Sequence, residues 1–263
     1  MSKKLIGQRM PVLFIGHGSP MNAIENNEFT KGWSKIANEI PRPDAIICIS
    51  AHWYVPSTLV TAMKQPRTIH DFWGFPQELY KQQYPAPGSP ELASIVVNSL
   101  KDYVIRLDQS WGLDHGTWSV LKKMYPAHDI PTIQLSIDYS KPPQLHYELG
   151  SQLKFLRERN VLIIGSGNLD HNLAMVNSQP HASAYEWALT FEKEILRSLS
   201  IGDDDALINF RNMGRVAEQA HPYPDHYLPL LYAKGAAGND DKLQVYNRHI
   251  VYGSVSMTCL KFD

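Results

Sequence analysis

The sequence is poor in cysteine: Cys48 and Cys259 are the only two in 263 residues. Two thiols make neither a disulfide framework nor a cysteine-rich zinc site, and such sparing use fits a reducing, cytoplasmic compartment. An excess of either charge is also missing. Lys and Arg number 25 against 26 Asp and Glu, a formal net charge of -1. That balance offers no basic excess to condense on a phosphate backbone, which argues against a dedicated nucleic-acid binder. No apolar run approaches the roughly 20 residues of a membrane span. The N-terminus is basic, but the apolar run that follows at residues 12–15 is far too short for a secretory signal. Internal repeats, low-complexity tracts and long linkers are absent, and the 18 prolines are scattered over many short loops. Three familiar catalytic patterns are missing as well: the His-x-x-x-His helix of zincin proteases, the Gly-x-Ser-x-Gly nucleophile elbow and the Gly-x-x-x-x-Gly-Lys phosphate loop.

What is present is a globular composition, 43% hydrophobic and 10% aromatic, which can offset the entropy of ordering the chain. Short apolar runs at residues 12–15, 45–49, 104–107, 132–137 and 161–164 predict buried strands. Helical spacing joins Phe29, Trp33, Ile36, Ala37 and Ile40, then Leu145, Leu149, Leu153 and Leu156, then Tyr185, Ala188, Phe191, Ile195 and Leu199. Ser89-Pro90-Glu91 reads as an N-cap, a first-turn proline and an early acid, opening a helix to about Leu100. Near the C-terminus Val255, Met257 and Cys259 alternate with Ser254, Ser256 and Thr258, which predicts a strand added to the same sheet. Strands alternating with helices predict an α/β fold: one domain over residues 1–263, with a mostly parallel central sheet flanked by helices on both faces. Its site is expected at the carboxyl ends of the strands.

The chain has 11 histidines, and three strand candidates run straight into a small-residue loop that carries one. Gly16-His17-Gly18 follows the first; its glycines allow a tight turn and a close approach by a ligand, and His17 reads equally as a functional group or as a turn residue bonded to a carbonyl. Ser50-Ala51-His52-Trp53 follows the second, where His52 admits a structural reading as readily as a ligand's. Gly165-Ser-Gly167-Asn168-Leu-Asp170-His171-Asn172 follows the third; it lacks the third glycine and the downstream acid of a dinucleotide fingerprint. His115 sits in a turn between Trp111 and Trp118, either a poised acid/base or a buried histidine satisfied by a carbonyl. His226, in Pro224-Asp225-His226-Tyr227, opens a short apolar helix, a place where histidines are often simply exposed. A parallel sheet would bring these loops to one rim. Neutral imidazoles there suit zinc or iron(II), and a non-haem iron centre needs two histidines, a further ligand and open positions. The remaining histidines (His70, His128, His146, His181, His221, His249) read mostly as surface residues, with His70 the exception.

Taken in order, Gly16-His17-Gly18-Ser19-Pro20, Ser50-Ala51-His52-Trp53, Asp114-His115-Gly116-Thr117-Trp118, Gly167-Asn168-Leu169-Asp170-His171-Asn172 and Asp225-His226-Tyr227-Leu228-Pro229-Leu230 resemble the class III extradiol ring-cleaving dioxygenases, in their 4,5-DOPA extradiol dioxygenase branch. The resemblance runs from about Met10 to the C-terminus. It implies a divalent metal on His17, His52 and His226, with His171 as a fourth ligand or as the acid/base beside the metal, and His115 as a substrate-facing acid/base. It implies iron(II) for activity and zinc as a metal that isolated members can carry. It also implies a catechol such as L-DOPA and dioxygen as the small-molecule partners, and a muconic semialdehyde as product. Better-studied members outside this branch use two histidines and one carboxylate, which has no obvious counterpart here. A zinc-dependent hydrolase on the same fold and a non-enzymatic, Memo-like binding protein are the rival readings. Arg67, Arg211 and Arg215 are candidates for a substrate carboxylate, and Phe72, Trp73 and Phe75 for a pocket wall or an interface. Without a coiled-coil seam, a monomer or weak homo-oligomer is expected.

Overall fold

The computed structural model describes residues 9–263. The N-terminal segment weighed above as a targeting sequence lies, through residue 8, outside them. Among the described residues ten strands form in chain order: β1 Val12–Gly16, β2 Ala45–Val55, β3 Thr58–Thr61, β4 Ile105–Asp108, β5 Thr132–Asp138, β6 Val161–Gly167, β7 Leu243–Tyr246, β8 Ile250–Val251, β9 Val255–Ser256 and β10 Cys259–Phe262. Eight of them make one sheet in the order β4-β3-β5-β2-β6-β1-β10-β7. Its centre, β5-β2-β6-β1, is parallel throughout, and the antiparallel pairs lie outboard. Every residue of β1, β5 and β6 is buried, the mark of strands covered on both faces.

The side-chain period of two sorts the core into two halves. Val12, Phe14, Ile47, Ile49 and Ile163 face a cluster with Leu149, Phe191 and Leu230, from the helices Pro143–Leu153, Glu186–Ile201 and Leu228–Ala236. Leu13, Ile15, Ile46, Cys48 and Ile164 face Trp33, Ile36 and Trp118, from the helices Glu28–Glu39 and His115–Met124. Ser89 caps the helix Pro90–Ser99 by accepting from Leu92 N, as its position before a proline predicts. Among the described residues no helix is long and apolar enough to cross a membrane.

Three local expectations change. The run at residues 104–107 gives an edge strand, β4, one residue later than expected: Val104 is 85% exposed and outside it, because β4 pairs only with β3 and has one open side. The C-terminal alternation splits. Residues 255–256 join β8 in a separate ribbon, and the sheet strand begins at Cys259, antiparallel to β1. Its polar set is not solvated either: Ser256 and Thr258 donate to the buried Glu192 carboxylate at 2.8 and 3.0 Å. Finally, His146 and His221 are fully buried rather than superficial. His146 Nδ1 meets Tyr232 Oη at 3.0 Å, and His221 Nε2 donates to Leu169 O at 2.6 Å inside a box of Phe191, Phe210 and Tyr227. Periodicity was blind to both because a polar ring with a satisfied nitrogen can occupy a core position.

Candidate metal centre

Three adjacent parallel strands end beside one another and deliver the histidines. Gly16 of β1 lies opposite Gly167 of β6, and Ser50 of β2 opposite Ser166. His17 leaves β1 with its amide donating to Gly167 O at 3.1 Å. The room at Gly16 is taken by protein, since a Cβ there would meet the backbone of Met257 and Thr258 at 2.6–2.8 Å. β2 runs on past Ile49 through a register irregularity: Ile49 pairs with Leu135 of β5, but the next pair is Tyr54 with Ile137. The extra residues between them include His52, and a bulge of this kind re-aims a side chain. The loop after β6 carries His171, whose amide donates to Ala220 O, and Asn168 N donates to His226 O, tying the fourth histidine to the third loop. His115 is the first residue of its helix, behind Asp114, whose side chain caps Thr117 N. Asp114 is held by Gln134 through a mutual pair at 2.7 and 2.8 Å, and burial raises its carboxyl to about 6.

The donor atoms converge. His17 Nε2 and His52 Nε2 are 3.0 Å apart. Two nitrogens each about 2.1 Å from one ion and at right angles to it would be separated by about this distance. His17 Nδ1 faces Ser166 Oγ at 3.0 Å, and that hydroxyl spends its proton on Gly116 O at 2.6 Å. Ser166 therefore accepts from His17, and Nε2 of His17 is left as a lone pair aimed inward. The His226 ring stands 5.2 and 5.1 Å from those of His17 and His52, and the His115 ring 3.9 Å from His52. One ring nitrogen from each of His17, His52 and His115 falls within a 4.8 Å group, and a second such group joins His171, Asp225 and His226. The rings of His171 and His226 are stacked, 3.4 Å apart and 10° from parallel. All five singled-out histidines thus meet at one rim.

Burial keeps these rings neutral. It drives His17, His52 and His226 far below the ordinary imidazole value, with the neighbouring histidines adding to the effect, and brings His171 down to about 4 against an upward pull from Asp225. Neutral imidazoles are what a divalent metal requires. Neutral imidazole nitrogens that converge this closely, His17 Nε2 and His52 Nε2 at 3.0 Å with a His115 nitrogen in the same group, are a donor set for a divalent cation, so the residues present fit a metal.

Two carboxylates complete the site, and sequence reasoning missed both. Asp71 Oδ2 lies 2.9 Å from His115 Nδ1 and 3.2 Å from His52 Nδ1, while Oδ1 accepts from the His115 amide at 2.8 Å. Burial works against its charge, but the His115 ring, the His52 ring and that amide prevail and hold it at about 2. Asp225 Oδ2 is 3.1 Å from His226 Nδ1, and burial pushes its carboxyl up. Asp225 stands inside a quoted motif; Asp71 follows His70 in a stretch with no spacing to mark it. Phe72 packs edge-on to His115 at 5.7 Å as an apolar wall, whereas Trp73 is 86% exposed. Of the three arginines, Arg67 donates to Trp111 O, Arg211 lies over the Phe210 ring at 5.1 Å, and Arg215 opens the helix Arg215–Ala220.

Gly116 sets how closely the His115 helix approaches β2. A Cβ there would sit 2.5 Å from Ser50 Oγ and 3.0 Å from His52 Cδ2. Gly116→Ala is expected to push the His52 ring aside, lowering turnover by about 100-fold for a displacement near 1 Å and stability by roughly 1–3 kcal/mol. Steady-state rates and a thermal melt check this; parent-like values in both would show that the contact yields freely.

The model of the catalytic LigB subunit of aromatic ring-opening dioxygenase matches residues 11–262. The 4,5-DOPA dioxygenase extradiol of Escherichia coli (strain K12) is 46% identical over 253 residues, covering 95% of this chain and 93% of that protein. The 4,5-DOPA dioxygenase extradiol of Beta vulgaris is 37% identical over 259 residues, with 95% of each covered. The crystal structure of the uncharacterized protein JW3007 from Escherichia coli K12 superposes with a TM-score of 0.85 at 40% identity, covering 97% of this chain and all of the other.

Proposed function

The chain belongs to the LigB family and is an extradiol ring-cleaving dioxygenase, and from that premise we propose that it opens the ring of a catechol such as L-DOPA with dioxygen, on iron(II), to a muconic semialdehyde. The hydrolase and the binding-only readings give way to the family. The observation that carries the proposal is the 3.0 Å approach of His17 Nε2 to His52 Nε2, with His17 Nδ1 hydrogen-bonded to Ser166 and His52 Nδ1 3.2 Å from the Asp71 carboxylate.

His17, His52 and His226 would hold the metal. A divalent metal held by them would supply Lewis-acid activation of the catechol and of dioxygen. Around it, the chain moves protons. His115 and His171 would take the second hydroxyl proton and return it as the ring opens. His171 suits proton transfer better than ligation. A lone pair lies in its ring's plane, and the plane of His171 is stacked above that of His226, so the two do not aim at one point. Its low pKa makes it neutral at pH 7 and a strong acid once protonated, which favours the return step. Phe72 and the buried Trp118 close the inner wall against water. The same reading takes residues 1–263 as one catalytic unit, working as a monomer or weak homo-oligomer in the cytoplasm, where the buried thiols Cys48 and Cys259 stay reduced.

Anaerobic loading of the purified protein with iron(II), followed by L-DOPA and air, tests this. Oxygen uptake matched to the yellow ring-opened semialdehyde is expected, and none from zinc-loaded protein. An iron-loaded enzyme that leaves L-DOPA and simple catechols untouched would refute the substrate class.

A further inference from the structure

As a metal ligand and an acid/base, His52 and His115 each need a ring nitrogen free and a ring held in place. Both Nδ1 atoms reach the same oxygen, Asp71 Oδ2, at 3.2 and 2.9 Å. The other oxygen of that carboxylate is fixed by the His115 amide at 2.8 Å, at the first residue of a helix, where an anion is favoured. Among the described residues no Lys or Arg pairs with Asp71; its ionic partners are the two imidazoles. An ionised carboxylate only accepts hydrogen bonds, so each Nδ1 facing it must carry the proton.

We propose that Asp71 is the positioning residue of this site: through one carboxylate oxygen it fixes the ring orientation and the Nδ1–H tautomer of His52 and His115 together, so that a metal ligand and an acid/base present their Nε2 lone pairs as one unit. A tie between the loop at residues 68–76 and the helix would need only the bond to the amide. Both rings on the second oxygen go beyond that. The kinetic part of this inference rests on the ring-opening reading; the tautomeric part does not.

Asp71→Asn separates the two roles. The amide oxygen can keep the bond to the His115 backbone, while the NH2 group turns donors toward both Nδ1 atoms and forces them to accept. In metal-free, 15N-histidine-labelled protein, long-range proton–nitrogen spectra should report Nδ1–H at His52 and His115 in the parent and Nε2–H at both in Asp71→Asn. His17, whose Nδ1 is held by Ser166 instead, should keep its tautomer in both proteins and so report on the fold. With iron(II) the variant should lose at least about 100-fold in kcat with KM little changed, the outcome when the partner behind an imidazole is lost. Unaltered tautomers in the variant, or a tautomer change with parental kcat, would overturn the assignment. Should the variant fail to fold, the parent spectrum still decides, because Nε2–H at either ring contradicts it. A parent that opens no catechol would sink the ring-opening reading alone, leaving the tautomers to judge Asp71.

Discussion

His17→Ala is expected to lose its metal and, with it, ring opening. The ring is buried, its Nδ1 is occupied by Ser166 at 3.0 Å, and its Nε2 stands 3.0 Å from that of His52. It lies among His52, His115 and His226, with ring centres 5.0, 5.5 and 5.2 Å away. No other side chain is held in the same place to substitute for it. Loss of an outer partner of a metal ligand costs about 10–100-fold, so loss of the ligand itself should exceed the upper end of that range. The fold should survive: the neighbouring histidines are neutral, and removing one imidazole leaves no charge uncompensated. Metal content after iron loading, oxygen uptake with L-DOPA and a melting curve are the three readings. Stoichiometric iron with undiminished uptake would show that His17 is not a ligand.

His171→Gln should behave differently. Glutamine keeps a polar side chain of similar reach but neither takes nor returns a proton. The loss expected is about 100- to 10,000-fold in kcat, the span of general acid–base catalysis, with iron content preserved. His115→Gln should fall in the same range, and the double variant by less than the product if the two rings share one proton relay. The pH profile adds a sign. Burial lowers His171 to about 4, and Asp225 opposes that shift. If neutral His171 is the base, activity persists below the ordinary imidazole range of about 6.5 and falls only toward pH 4. Asp225→Asn removes the upward pull, so the acid limb should move lower still. A limb near 6.5, or one that rises in Asp225→Asn, would assign the base elsewhere. Loss of iron from His171→Gln would return that residue to the ligand set.

Much of this molecule is written locally. An apolar run of four to six residues makes a buried strand where both faces of the sheet are covered, and 3.6-residue spacing makes a helix with one apolar stripe. That is why β1, β2, β5 and β6 and the helices beginning near Glu28, Pro90, Pro143 and Glu186 follow the pattern of their own residues. Five histidine motifs, three of them directly after strand ends, were equally legible. They carried the family, because strand–loop–histidine is a contiguous pattern and a parallel sheet has one carboxyl edge.

What the sequence could not determine is what crosses the chain. Ser166 meets His17 over 149 residues and Asp71 meets His115 over 44, so neither pairing has a spacing to betray it. Which nitrogen of each ring carries its proton depends on those partners and on nothing adjacent to the ring. The burial of His146 and His221, and the turning of Ser256 and Thr258 onto Glu192, follow from hydrogen-bond partners supplied by other elements. The sequence by itself set the strands, the helices and the inventory of imidazoles. Only the tertiary structure decided that two of their lone pairs stand 3.0 Å apart, neutral and aimed at one point, because burial and distant acceptors act on a side chain only once the chain has folded around it.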